Sequence, residues 1–110
     1  MKPSYSELSP NRCLLKLSGP LMGDLAANLA DELSRLSKQG IKQVILDLAE
    51  VPLIDSRGLS ALIAGYRLFG QKAQHFRLVG LNDQARLLFD LTGFSRNFQT
   101  FEHVAEAVGG

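Results

Sequence analysis

The chain has no tryptophan, two histidines and a single cysteine. One cysteine forms no intramolecular disulfide, which fits a reducing compartment. Cys13 lies in an apolar alternation and reads as a buried, inert thiol. No stretch approaches the length of a membrane span. The first residues, Met1-Lys2-Pro3-Ser4-Tyr5-Ser6-Glu7, have no apolar core of signal-peptide length. The expected location is therefore the cytoplasm, without membrane insertion. Charge of one sign is also missing: the net charge is +1, with lysine and arginine scattered rather than striped. Direct binding to nucleic acid is not expected. Gly-x-Gly-x-x-Gly and Walker loops are absent, as are Cys/His spacings for a metal. No cofactor and no metal site are expected.

What is present is ordinary in bulk. At 45% hydrophobic and 21% charged residues the chain falls among globular proteins and away from disordered ones. Its 110 residues suit one domain, 1–110, with a core that needs no covalent staples. Residues 3–8 read as an edge strand. The Ser9-Pro10-Asn11 turn follows, then a strand over 13–18 with Cys13, Leu15 and Leu17 on one face. Leu25, Leu29, Leu33 and Leu36 predict a helix over 24–38, capped by Asp24 and stopped by Gly40. The run Val44-Ile45-Leu46-Asp47-Leu48 is apolar on both faces, as a central parallel strand should be.

Leu59, Leu62, Ile63, Tyr66 and Phe69 predict a helix ending near Gly70. A strand over 76–80 comes next, then a helix carrying Ala85, Leu88 and Leu91 with Gly93 as its left-handed stop. Residues 98–100 read as a short last strand. Thr100 is then expected to cap a terminal helix containing Phe101, Val104, Ala105 and Val108. Successive strand–helix–strand units give parallel neighbours, and the opening hairpin is antiparallel. The expectation is an α/β fold: a small mixed sheet of about four to five strands covered by about four helices.

The most informative segment is Ile54-Asp55-Ser56-Arg57-Gly58-Leu59, which joins the central strand to a helix. Backbone N–H groups are unpaired at such a place, and the helix dipole favours negative charge there. Asp55 or Ser56 serves as an N-cap, and Gly58 lets the backbone pass close to a neighbour. Neither role explains Arg57, whose charge opposes the dipole at a cost of a few tenths to about 1 kcal/mol. An enzymatic reading of Ser56 as a nucleophile needs a base, and neither His75 nor His103 is placed to serve. The Gly-x-Ser-x-Gly elbow is absent. Asp47 and Asp55 would make a carboxylate pair only if Asp47, within its strand, reached the loop. Phe94, Phe98 and Phe101 read as core. No catalytic residue is assigned.

These residues resemble a STAS domain of the anti-sigma factor antagonist type. Leu15-Lys16-Leu17-Ser18-Gly19-Pro20-Leu21 is similar to the family's second strand and its exit. Val44-Ile45-Leu46-Asp47-Leu48-Ala49-Glu50-Val51 is similar to its central strand, and Ile54-Asp55-Ser56-Arg57-Gly58-Leu59 to its Asp-Ser-Ser-Gly-Leu loop. Leu78-Val79-Gly80-Leu81, residues 88–94 and Glu106-Ala107 fall where the later elements fall. The resemblance implies a single STAS domain acting as a non-enzymatic switch. Its unphosphorylated form binds an anti-sigma factor, a serine kinase with a histidine-kinase-like ATPase fold, and so frees a sigma factor. The kinase phosphorylates the second serine of the loop, and the added charge breaks the complex.

Two positions depart from that pattern. Arg57 stands at the acceptor position and has no hydroxyl. Met22 stands where the family often has an aspartate beside the loop. Ser56 is the remaining candidate for phosphorylation, but it is one residue early, a rotation of about 100° on a helix. The expected docking loop is Asp55, Ser56, Arg57, Gly58 and Leu59, with Asp47 and Met22 in support. Arg57 would give it a fixed charge and a five-donor fork for a carboxylate or another anion. The alternatives are a STAS accessory subunit of an ABC lipid transporter or of a stress-sensing assembly, and a sensor of a small ligand. The edge strand offers a route to a homodimer.

Overall fold

A computed structural model describes residues 3–109. In chain order the elements are β1 (Ser4–Ser9), β2 (Arg12–Ser18), α1 (Gly23–Lys38), β3 (Gln43–Glu50), α2 (Ser56–Leu68), β4 (Phe76–Val79), α3 (Asp83–Thr92), β5 (Gln99–Phe101) and α4 (Val104–Gly109). The strands form one five-stranded sheet in the order β1-β2-β3-β4-β5. β1 and β2 are antiparallel, and the other neighbours are parallel. This is the mixed sheet that the patterning predicts, with β1 and β5 as its edges.

The two faces of the sheet are unequal. Cys13, Leu15 and Leu17 of β2, Val44, Leu46 and Leu48 of β3, and Phe76 and Leu78 of β4 share one core with Leu29, Leu33 and Leu36 of α1, Leu62 of α2 and Phe89 of α3. Burial of each large side chain there contributes on the order of 1.5–3 kcal/mol. Phe98 sits in the same core, with ring centroids 5.6 Å from Tyr66, 6.1 Å from Phe76 and 5.3 Å from Phe89. The opposite face carries a smaller cluster of Ile45, Val79 and Ala107, which α4 covers. Alternation along β3 therefore buries both of its faces, as its run of apolar residues requires. Burial pushes the Cys13 thiol up to about 11, which suits an inert thiol.

Two expectations about element ends are corrected. Met22, not Asp24, occupies the N-cap position of α1, and no side chain caps that end. The Met22 carbonyl accepts the N–H groups of Leu25 and Ala26, at 3.1 and 3.3 Å. Asp24 lies in the first turn, where its charge still suits the dipole. Thr100 does not cap the last helix, because it and Phe101 belong to β5, which pairs with β4. The turn into α4 falls at His103, whose N–H donates to Glu106 Oε1 at 3.0 Å. Edge pairing with β4 thus outweighs the capping preference of threonine. The expected stops at Gly40 and Gly93 are both present, with φ of +89° and +80°. Among the described residues no helix is long and apolar enough to cross a membrane.

Candidate functional site

In a parallel sheet all strand C-terminal ends lie at one end of the molecule, so the segments that follow β2 and β3 meet there. Leu21 and Ile54 form a parallel bridge between those two loops. The Leu21 N–H donates to the Leu53 carbonyl at 2.8 Å and the Gly19 N–H to the Glu50 carbonyl at 3.0 Å. A third segment holds the second. Gln84 of α3 receives the Ile54 N–H at 3.0 Å and donates to the Ile54 carbonyl at 2.9 Å. Asn82 donates to the Pro52 carbonyl at 2.9 Å, while its Oδ1 caps α3 by accepting the Ala85 N–H at 3.0 Å.

The loop then enters α2 by a side-chain cap. Asp55 is the N-cap residue, and its Oδ1 accepts the Gly58 N–H at 2.9 Å. That fixes Asp55 inward as a structural acceptor. Gly58 and Leu59 are buried beneath the first turn, whereas Ser56 and Arg57 are exposed. A Cβ on residue 58 would lie 2.2 Å from the Leu21 carbonyl oxygen, so only glycine fits there. The Ser60 hydroxyl donates to the Ser56 carbonyl at 2.9 Å. Arg57 forms no ion pair among the described residues.

Ser56 and Arg57 open onto a shallow groove of about 460 Å³ between α1 and α2. Gly23, Ala26, Ala27 and Ala30 line one side, and Ser60, Ala61 and Ala64 the other. Met22 lies beside this end, 38% exposed. The predicted loop residues and Met22 are thus brought together. Asp47 is not: it faces the α4 side of the sheet, and its Oδ1 accepts the Ala49 N–H at 3.1 Å. It supports the end of β3 itself, and no Asp47–Asp55 carboxylate pair exists. Nearby on the sheet surface, Lys16 Nζ lies 2.7 Å from Glu50 Oε2. The lysine, aided by the Ser18 hydroxyl, holds the Glu50 carboxyl below its usual range.

No base accompanies Ser56. His75 precedes β4 at the other end of the sheet, with Nδ1 3.2 Å from the Phe69 carbonyl. His103 stands at the start of α4, which covers the second face. Among the described residues no group of three or more His, Cys, Asp or Glu could hold a metal ion. This end presents a capped helix start, an exposed guanidinium and hydroxyl, and a groove of small side chains. Sequence reasoning missed Asn82 and Gln84. Asn82 had a signal, as an asparagine before a helical period. Gln84 had none, since its role exists only when α3 meets the preceding loop.

The STAS domain family matches residues 6–107. The anti-sigma-B factor antagonist of Listeria monocytogenes serovar 1/2a is 36% identical over 58 residues, which cover 53% of this chain and 50% of that protein. The chain therefore spans about half the length of that curated relative. The anti-sigma-B factor antagonist of Staphylococcus epidermidis is 27% identical over 79 residues, 72% of this chain and 73% of that one. Among solved structures, SpoIIAA, an anti-sigma factor antagonist in its unphosphorylated form, superposes with a TM-score of 0.82 at 16% identity, covering 96% of this chain and 92% of its own. An anti-sigma factor antagonist from Mycobacterium paratuberculosis gives 0.81 at 20% identity, covering 98% and 91%. At such identities the structural likeness concerns the fold, and the sequence match supplies the family. With its sheet order, its loop after β3 and this match over nearly its whole length, the chain belongs to the STAS domain family.

Proposed function

We propose that this chain is a non-enzymatic regulatory domain that acts as an anti-sigma factor antagonist. Its partner is an anti-sigma factor that is also a serine kinase with a histidine-kinase-like ATPase fold, docked on the loop and helix at 54–62. The observation that carries this reading is the first turn of α2: Asp55 is turned inward as the cap, leaving Ser56 and Arg57 exposed at the mouth of the groove. The names of the curated relatives support the same reading.

Arg57 occupies the acceptor position of the family's loop and makes the charge of this surface constant. A guanidinium there accepts no phosphoryl group and offers five donors to a carboxylate on the partner. Ser56 keeps its hydroxyl but sits about 100° around the helix from the position a kinase would address. The domain therefore binds without the usual release by phosphorylation. Incubation with the cognate kinase and ATP, followed by mass spectrometry of the intact chain, tests this. The expected result is no phosphate, and stoichiometric phosphate on Ser56 refutes it. In calorimetry, Arg57→Glu is expected to weaken the complex about tenfold or more, since it places like charge against the partner's acid. An unchanged affinity moves the interface elsewhere.

The lost acceptor also favours a second reading, an accessory STAS subunit of a transporter or a stress-sensing assembly, which needs no phosphoryl switch. Purification with a transporter ATPase in place of a kinase would select it.

A further inference from the structure

At the end of the sheet opposite the recognition loop, a pocket of about 410 Å³ is lined by Asn11, Arg12, Lys42, Gln43 and His75, with Val108 and Gly109 of α4 closing one side. It carries two permanent cations and a histidine, and among the described residues no carboxylate side chain lines it. Arg12 is held in place from two directions. Its Nε donates to Gln43 Oε1, and its Nη2 donates to the Val108 carbonyl at 3.0 Å. Gln43 is itself fixed, donating to the Gln74 carbonyl at 2.6 Å. Below, the Asn11 carbonyl takes the N–H groups of both Lys42 and Gln43, at 2.7 and 3.1 Å. The guanidinium is thus set before any ligand arrives.

A second arginine adds to the excess of positive charge. Arg77 is only 6% exposed. Its Nη1 donates to the Ala107 carbonyl at 2.5 Å, one residue before the carbonyl that Arg12 uses, and its Nε has no hydrogen-bond partner among the described residues. Neither arginine forms an ion pair among the described residues. Burial and the neighbouring Arg12 charge both push the Arg77 pKa down. The C-terminal carbonyls of α4 attract cations, but a helix end offers roughly half an elementary charge, too little for two guanidiniums and an ammonium. Cations crowded together and partly desolvated call for a counter-charge.

We propose that this pocket binds a phosphate group, carried by a small phosphorylated metabolite or present as inorganic phosphate. Arg12 supplies the Nη N–H groups that Gln43 and Val108 leave free, held in a fixed plane, and Lys42 a mobile point charge. His75 lines the same space, with Nδ1 3.2 Å from the Phe69 carbonyl. The site is separate from the groove at α1 and α2 and does not rest on the proposed partner.

The test is a titration of the full chain, followed by amide and arginine-side-chain NMR, at constant ionic strength maintained with sodium chloride. Inorganic phosphate is one arm and glycerol 3-phosphate the other. Saturable shifts are expected at Asn11, Lys42, Gln43 and the Arg12 Nε–H. A tighter fit for the ester points to a metabolite, and equal fits point to the phosphate group alone. Lys42→Gln, at an exposed position, is expected to weaken binding about tenfold, and Arg12→Gln at least as much. No saturation below about 20 mM phosphate overturns the proposal. So does binding that Lys42→Gln and a folded Arg12→Gln both leave unchanged.

Discussion

Gly58 is the residue on which the geometry of the recognition loop closes. Any side chain there would enter the space of the Leu21 backbone carbonyl, and a backbone atom does not move aside as a flexible side-chain tip does. Gly58→Ala is expected to cost about 3 kcal/mol, the upper range for forced overpacking. Urea unfolding measures it, and a cost under about 0.5 kcal/mol would show that the two loops separate easily. At position 57 the change of interest is chemical. Arg57→Ser returns a hydroxyl to the acceptor position of the family's loop. With the proposed kinase partner and ATP it is expected to gain one phosphate and then to lose affinity, a response not expected of the native chain. Cys13 gives a third measurable quantity. Its folded pKa is raised from 9.0 to about 11 because the thiolate would be buried. The native state therefore holds that proton where the unfolded state has lost it. The associated stability is complete below pH 9 and declines as pH rises through 11, by on the order of 2–3 kcal/mol. Cys13→Ala is expected to flatten this part of the stability profile in alkaline unfolding experiments.

At the scale of elements, the recognition loop is an assembly of three segments rather than a property of residues 54–59. Gln84 closes two hydrogen bonds on the Ile54 backbone, and Asn82 ties Pro52 while capping α3. Gln84→Ala is expected to cost about 1–3 kcal/mol by leaving part-buried backbone groups unpaired. Its distinguishing sign is local: faster hydrogen exchange at the Ile54 amide with α1 unaffected. This also explains what the sequence made legible. Strand and helix identity followed from period, because β3 is apolar on both faces and α1 repeats leucine at helical spacing. The cap at Asp55 and the left-handed stop at Gly93 followed from local chemistry. Contacts between distant segments left no such trace. Thr100 has the chemistry of a cap, and β4 pairing took it into a strand. Asp24 has the chemistry of a cap, and the helix begins one residue before it, which leaves the cap position to Met22. Arg12, Lys42 and His75 are scattered in sequence, and the register of the parallel strands gathers them at one end.

That register gives the whole molecule its polarity. Parallel β2, β3 and β4 send the loop that follows each strand to the end that holds Ser56 and Arg57, and the loops that return from the helices, with Arg12, Lys42 and His75, to the other. Between the two ends lies a close-packed core, including Leu15, Leu46 and Phe76, all fully buried. Such a core is stiff, and coupling between the ends would need a second arrangement of it. Substitutions at distant, unconnected sites add in free energy. Lys42→Gln is therefore expected to leave the affinity for the proposed kinase partner within about twofold, while Arg57→Glu leaves phosphate-induced shifts at Asn11 and Gln43 unchanged. The double variant should show the sum of the two single effects. A coupling above about 1 kcal/mol in that cycle would mean that the anion tunes the recognition loop, and the sheet would then be a transmitter rather than a spacer.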